Sequence, residues 1–187
     1  MKWEWAVYTG YFPDPICDLI LANGLKAPAQ QGAVGNGKGH GVNNKIRKSD
    51  VRFIPQNQSW QWLFDVLWKL AWDANRNFGF ELSQLGFLQL AEYKAENKGH
   101  YHRHQDVFWV TEQPLHRKLS CVIQLSNPAD YEGGNLELET GQKPLVDSMR
   151  ARGSVIFFPS FTHHAALPVT KGIRHSIAAW FEGPKWR

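Results

Sequence analysis

Histidine offers the most chemistry in this chain, and it is unevenly placed. Of eight histidines, His100, His102, His104 and His116 fall in one stretch and His163, His164 and His175 in another, with only His40 outside. The first stretch contains Tyr101-His102-Arg103-His104-Gln105-Asp106. Residues two apart on an extended strand face the same way, so His104 and Asp106 project together. An imidazole from the later cluster then completes a set of two nitrogens and one carboxylate. Such a set caps one face of an octahedral Fe(II) and leaves three positions open. The single carboxylate offsets part of the metal's charge and leaves room for an anionic cosubstrate. His102 shares the face of His104 and Asp106 and is a rival ligand on parity alone.

The later cluster runs His164-Ala-Ala-Leu-Pro168-Val169-Thr170-Lys171-Gly172-Ile173-Arg174-His175-Ser176-Ile-Ala178-Ala-Trp180. If Thr170-Lys171-Gly172 is a tight connection between antiparallel strands, Val169 pairs with Ile173 and His164 faces Ala178. Arg174, Ser176 and Trp180 then share the face of His164. Arg174 would lie roughly 13 Å along the ladder, at about 3.3 Å per residue. A leaning imidazole, a metal, a five-carbon diacid and an arginine side chain fill that gap. A guanidinium there pairs in bidentate fashion with a carboxylate that the metal does not hold. The charges of a divalent metal, Asp106, a dianion and Arg174 cancel, which lowers the cost of burying them. No nucleophile elbow, P-loop or Cys–His pairing offers competing chemistry.

Strands must position these residues. From Gly86 onward, short β-rich runs at 87–93, 100–106, 118–125, 135–139, 154–158, 163–168 and 174–181 alternate with turn residues such as Asn127-Pro128, Glu132-Gly133-Gly134 and Gly153. Gly133 and Gly134 read as hairpin glycines that speak to fold and not to activity. Before Gly86 the sequence predicts a strand at 3–8, a helix capped by Asp14 with Pro15 following and stopped at Gly24, and a strand at 45–54. A second helix capped by Ser59 carries Trp60, Leu63, Phe64, Leu67, Leu70, Ala71 and Ala74 at helical steps, with Gly79 beyond its end. The Gly-rich stretch Pro28–Asn44 reads as a flexible loop, either plain surface or a lid. The outcome is one α+β domain over 1–187, with 1–85 as helical support plus loop and 86–187 as the catalytic core.

Composition narrows the classes. With 187 residues, 43% hydrophobic and 20% charged, the chain can bury a core, which excludes disorder. No apolar run reaches the roughly 18–20 residues of a membrane span. The start, Met-Lys-Trp-Glu-Trp, lacks the apolar core of a signal peptide. Two cysteines, Cys17 and Cys121, fit reduced thiols and a cytoplasmic location. A net charge of +4 permits nucleic-acid contact without demanding it, and the basic residues are scattered.

The ordered set Tyr93, Tyr101-x-x-His104-x-Asp106, Tyr131-x-Gly133-Gly134-x-Leu136, Gly153, Phe158-Pro159-Ser160, His164-x-x-x-Pro168-Val169-x-x-Gly172-x-Arg174-x-Ser176 and Trp180 resembles the prolyl 4-hydroxylase-type branch of the Fe(II)/2-oxoglutarate dioxygenases. The likeness is strongest to small bacterial and phage-encoded members and covers about residues 86 to 187. It implies a double-stranded β-helix, a distorted jelly roll, buttressed by the N-terminal helices. It also implies Fe(2+), 2-oxoglutarate and O2, with L-ascorbate as a reductant. His104, Asp106 and His164 take the metal-ligand positions, His164 being favoured over His163 because Arg174 follows it by ten residues. Arg174 takes the place of the residue that binds the C5 carboxylate of 2-oxoglutarate. Tyr93 falls near the cosubstrate, and Gln124 stands where some relatives place a tyrosine. Trp180 and Tyr101 border the substrate. The activity implied is hydroxylation of a proline in a peptide or protein, coupled to decarboxylation of 2-oxoglutarate to succinate and CO2. The same chemistry on a nucleic acid or a small molecule is the alternative. Against nucleic acid, the segment from Arg174 to Trp180 lacks the second arginine of the nucleic-acid demethylases.

Overall fold

A computed structural model describes residues 3–35 and 40–186. The chain opens with β1 (Ala6–Tyr8) and α1 (Asp14–Gly24), then β2 (Gln30–Gln31), β3 (Ala33–Gly35), β4 (His40–Val42), β5 (Arg47–Lys48) and β6 (Asp50–Ile54). Helix α2 (Gln61–Phe78) leads into β7 (Gln84–Lys94), β8 (His100–His104), β9 (Leu115–Gln124), β10 (Tyr131–Gly133) and β11 (Leu136–Leu138). A short α3 (Val146–Arg150) precedes β12 (Val155–Pro159), β13 (His164–Ala166) and β14 (Val169–Pro184). Two antiparallel sheets result. The large one has the order β1-β12-β9-β14-β7-β6-β2, with β10 also paired to β14; the small one is β11-β13-β8-β5; β3 and β4 form a separate ribbon.

The two faces of the large sheet differ in chemistry, and alternation along β14 explains why. Ile177, Ala179 and Phe181 point one way and join Leu88, Leu90, Leu119, Ile123 and Phe157 under α1 and α2. Helix α2 covers them with Leu63, Phe64, Leu67, Leu70, Ala71 and Ala74, the stripe its periodicity predicts. Each fully buried leucine there contributes roughly 1.5–3 kcal/mol. The opposite face turns Arg174, Ser176, Ala178 and Trp180 toward the small sheet. Apolar contacts close that interface at both ends, through Val51, Ala91, Ala166 and Val169 on one side and Leu138, Ile156 and Phe158 on the other. A polar pocket lies between.

Several expectations change. Thr170-Lys171-Gly172 is not a hairpin; β14 runs through it without a turn, with Tyr131 opposite Gly172 and Glu132 opposite Lys171. Gly172 (φ 69°) is needed because a Cβ there would stand 2.0 Å from the carbonyl oxygen of Asp130. His164 therefore does not face Ala178; it pairs with His104 on one side and Leu138 on the other. The first half is more than a brace, since β1, β2, β5 and β6 complete both sheets. The Gly-rich stretch is not simply a flexible loop. It supplies β2 at a sheet edge and the β3–β4 ribbon, with Val34 buried, while residues 36–39 lie outside the described residues. The caps shift by one: Pro13 precedes α1 and Trp60 precedes α2, because the Asn57 side chain and carbonyl take the amides that open the second helix. Gly79 ends α2 in the left-handed region, as expected. Among the described residues no helix is long and apolar enough to cross a membrane.

Replacing Leu67 by Ala should destabilise the fold by about 2–5 kcal/mol through the cavity left under α2. The same change at exposed Lys69 should stay within about 0.5 kcal/mol. Urea unfolding midpoints of the two variants read the difference.

Candidate active site

Three predicted residues meet in the pocket. Strands β8 and β13 pair with His104 directly opposite His164. Asp106 lies two residues past the end of β8, and its backbone N–H donates to Ser160 O (2.9 Å), which ties this segment to the end of β12. One ligand atom from each of His104, Asp106 and His164 lies within 4.8 Å of the others. The Nε2 atoms of His104 and His164 stand 3.6 and 3.5 Å from the two Asp106 carboxylate oxygens.

Each imidazole is oriented by its other nitrogen. Nδ1 of His104 faces His102 O at 2.7 Å, and Nδ1 of His164 faces Thr162 O at 3.0 Å. A carbonyl can only accept, so Nδ1 carries a hydrogen in each ring and Nε2 is the nitrogen turned toward Asp106. Burial pushes the His164 pKa down to about 4, so the ring is neutral at pH 7. Burial also opposes ionisation of Asp106, but the facing His164 and His104 rings and the Arg117 guanidinium outweigh it and hold the carboxyl below its usual range. Ser120 Oγ donates to Asp106 Oδ2 (2.6 Å) and meets Ser160 Oγ at 2.9 Å. Two imidazole nitrogens and a carboxylate thus converge on one point. That electron-rich cluster fits a divalent cation, and its donor types fit Fe(II).

Arg174 occupies the same pocket and is only 4% exposed. Its Nε donates to Gln124 Oε1 (3.1 Å), and its guanidinium carbon lies 5.5 Å from the Tyr93 ring centroid. Because a guanidinium can only donate, the Gln124 amide orientation is set, and its Nε2 donates to Tyr131 Oη (2.9 Å). Gly134 turns out to matter for the site. A Cβ there would come within 3.1 Å of Arg174 Cδ, so this glycine makes room for the arginine stem as well as for its turn.

The remaining walls include Tyr101 and Trp180. Tyr101 stacks on the His104 ring at 3.5 Å between centroids. Trp180 carries Arg117, whose guanidinium carbon is 4.0 Å from its centroid. Arg117 also lines an open cleft of about 850 Å³ shared with Gly35, Phe108, Val110 and Glu182, so the Arg117–Trp180 pair stands between cleft and pocket. His102 is exposed and outside the cluster, His163 is half-buried and also outside it, and His175 turns away to meet Glu92 at 2.9 Å. Ser120, Arg117 and Arg47 are site residues that sequence reasoning misses, while Tyr131 enters it as a member of the ordered motif without a role of its own. Only Ser120 leaves a signal, through its shared parity with Gln124 on one predicted strand.

Comparison with known proteins agrees with this geometry. The family model described as 2OG-Fe(II) oxygenase superfamily matches residues 88–182. A PKHD-type hydroxylase of Colwellia psychrerythraea is 36% identical over 77 residues, covering 41% of this chain and 34% of that protein. One from Sphingopyxis alaskensis is 40% identical over 77 residues, covering 40% and 35%. The matched part therefore spans about a third of the length of these curated relatives. The fold is similar to a Pseudomonas putida prolyl-4-hydroxylase, with TM-score 0.74, 19% identity and coverage of 96% of this chain and 93% of that one. It is also similar to a Trichoplax adhaerens prolyl hydroxylase in complex with a hypoxia inducible factor peptide fragment, with TM-score 0.75, 18% identity and coverage of 95% and 83%.

Replacing Asp106 by Ala should abolish binding of Co(II), read by its absorption band on titration. Replacing Ser120 by Ala should weaken it about 10–100-fold, because the carboxylate loses the hydroxyl that orients it. Replacing His102 by Ala should leave it unchanged.

Proposed function

This chain belongs to the 2OG-Fe(II) oxygenase superfamily, and on that premise we propose that it is an Fe(II)- and 2-oxoglutarate-dependent hydroxylase of prolyl residues in a peptide or protein. We read its frame as a double-stranded β-helix, with the large and small sheets facing each other across the pocket. One observation carries the proposal: His104, Asp106, His164 and a buried Arg174 line the same cavity.

His104, Asp106 and His164 would hold the iron, and Arg174 the distal carboxylate of 2-oxoglutarate. When bound, the metal and cosubstrate supply the oxidising power: 2-oxoglutarate is decarboxylated to succinate and, with O2, an unactivated C–H of the substrate is hydroxylated. The protein's share is orientation and insulation. The His102 and Thr162 carbonyls keep both Nε2 atoms turned inward. Ser120 and Ser160 fix the carboxylate. Gln124 engages the Nε edge of Arg174, leaving the two terminal nitrogens as a fork for a carboxylate. Ala91, Val122, Leu136, Ala166 and Ala178 supply apolar walls that exclude water. No side chain need act as a nucleophile or as a general base. The Arg117–Trp180 wall, opening on a cleft large enough for an extended chain, supports a peptide substrate. The likeness to prolyl hydroxylases, one of them holding a peptide, supports proline as the target.

Incubation with Fe(II), 2-oxoglutarate, ascorbate and a panel of proline-containing peptides should add one oxygen atom per succinate formed, read by mass spectrometry. Replacing Arg174 by Ala should raise the KM for 2-oxoglutarate roughly 10–100-fold, as expected for losing hydrogen bonds to a charged group. An unchanged KM would remove Arg174 from cosubstrate binding.

A further inference from the structure

Two arginines line the buried pocket, and the proposed reaction uses only Arg174. The second, Arg47, sits on β5 at the edge of the small sheet. The strand order β11-β13-β8-β5 separates them: Arg174 packs beside Gly134, just before β11, whereas Arg47 pairs with Tyr101 at the far edge. His164 on β13 and His104 on β8 lie between. A diacid reaching from the His–Asp–His cluster to Arg174 extends toward β11, which leaves the β5 side to the substrate.

Arg47 is only 6% exposed, yet its neighbours are neutral. Nε donates to Ser49 Oγ (2.8 Å), Nη2 donates to Gln89 Oε1 (2.7 Å), and the guanidinium carbon is 4.6 Å from the Tyr101 ring centroid. Nη1 makes no hydrogen bond among the described residues and is not sealed from the pocket. These contacts orient the charge without neutralising it. A buried ion without a counter-ion is costly, and a bound anion offsets that cost. The side chain is also clamped: a Cβ on Gly32 would stand 2.5 Å from Arg47 Nε, so the chain closes over the guanidinium only because residue 32 is glycine. Arg47 is therefore preorganised, unlike a long cation reaching for solvent.

Charge balance points the same way. Among the charged groups that line the pocket itself, iron, Asp106, dianionic 2-oxoglutarate and Arg174 sum to zero, and Arg47 adds one positive charge to that set. Its distance limits where a balancing anion can sit. Tyr101 is 3.5 Å from the His104 ring and 4.6 Å from Arg47, which puts the guanidinium carbon within about 8 Å of that ring. An extended residue spans about 3.3–3.6 Å, so the anion belongs to the oxidised residue or to its immediate neighbour.

We propose that Arg47 receives a carboxylate of the substrate, which makes the preferred target a prolyl residue that bears or adjoins a carboxylate. The carboxylate is either the free α-carboxylate of a terminal proline or the side chain of a neighbouring acidic residue. This rests on the oxygenase reading above and names the substrate class of the same site.

The test uses the full chain loaded with Mn(II) and 2-oxoglutarate, so that calorimetry reads binding without turnover. One arm compares N-acetyl-L-proline with N-acetyl-L-prolinamide. The other compares acetyl-prolyl-aspartyl amide with acetyl-prolyl-asparaginyl amide. In at least one arm the wild type should bind the acid at least tenfold more tightly than its neutral partner, and the arm that responds identifies the source. Arg47→Gln should erase the preference, Arg47→Lys should restore part of it, and both variants should bind 2-oxoglutarate as the wild type does. Equal affinity for acid and neutral members, no binding of either acid, or a preference that survives in Arg47→Gln would each overturn the proposal. If Arg47→Gln does not fold, the wild-type comparison and Arg47→Lys still decide. A wild type that binds no 2-oxoglutarate with Mn(II) would bring down the oxygenase reading, and this proposal with it, by a separate signal.

Discussion

The site depends on two imidazoles and a carboxylate being held face to face. One ligand nitrogen from each imidazole and an Asp106 carboxylate oxygen lie within 4.8 Å of one another. Such a cluster persists only where the surrounding fold determines each member separately. Carbonyls fix both rings, two serines fix the carboxylate, and an antiparallel pairing sets His104 against His164. Much of the sheet architecture can be understood as the apparatus that keeps these three groups facing each other until a cation joins them.

The same division of labour runs through the large sheet. Its helix-side face is apolar and tightly packed, and supplies the stabilisation. Its other face carries Arg174, Gln124, Ser120 and Arg47's partner Gln89, all buried and all polar. Buried polar groups are tolerable when paired, and here hydrogen bonds link Arg174 to Gln124 to Tyr131 and Ser120 to both Asp106 and Ser160. Arg47 fits that pattern, its charge being oriented, like that of Arg174, by neutral groups only.

How much of this is legible in the sequence depends on the range of the interaction. The His104–Asp106 pair is readable because two-residue spacing brings both side chains to the site, although Asp106 lies just past the end of β8. The α2 stripe and Gly79 are readable for the same local reason. The face of Arg174 is read correctly, but through a wrong connection. Parity along β14 carries the result, while the supposed partner of His164 is replaced by His104, since the two strands belong to different sheets. Arg47 is hidden because its role comes from a two-residue strand and from Gln89, forty-two positions away. Gly134 reads as a turn residue until the arginine stem beside it is seen.

Strand β14 is flanked by β7 and β9 over most of its length, and its helix-side residues are sealed beneath α2. A slip of one position would exchange its two sets of side chains, turning Arg174 and Trp180 into the oil and Ile177 and Phe181 into the cavity. The apolar layer, remote from every reacting atom, thereby acts as a gauge block. It sets the spacing between the guanidinium and the histidines, so the length a diacid would have to span is governed by packing on the reverse side of the sheet.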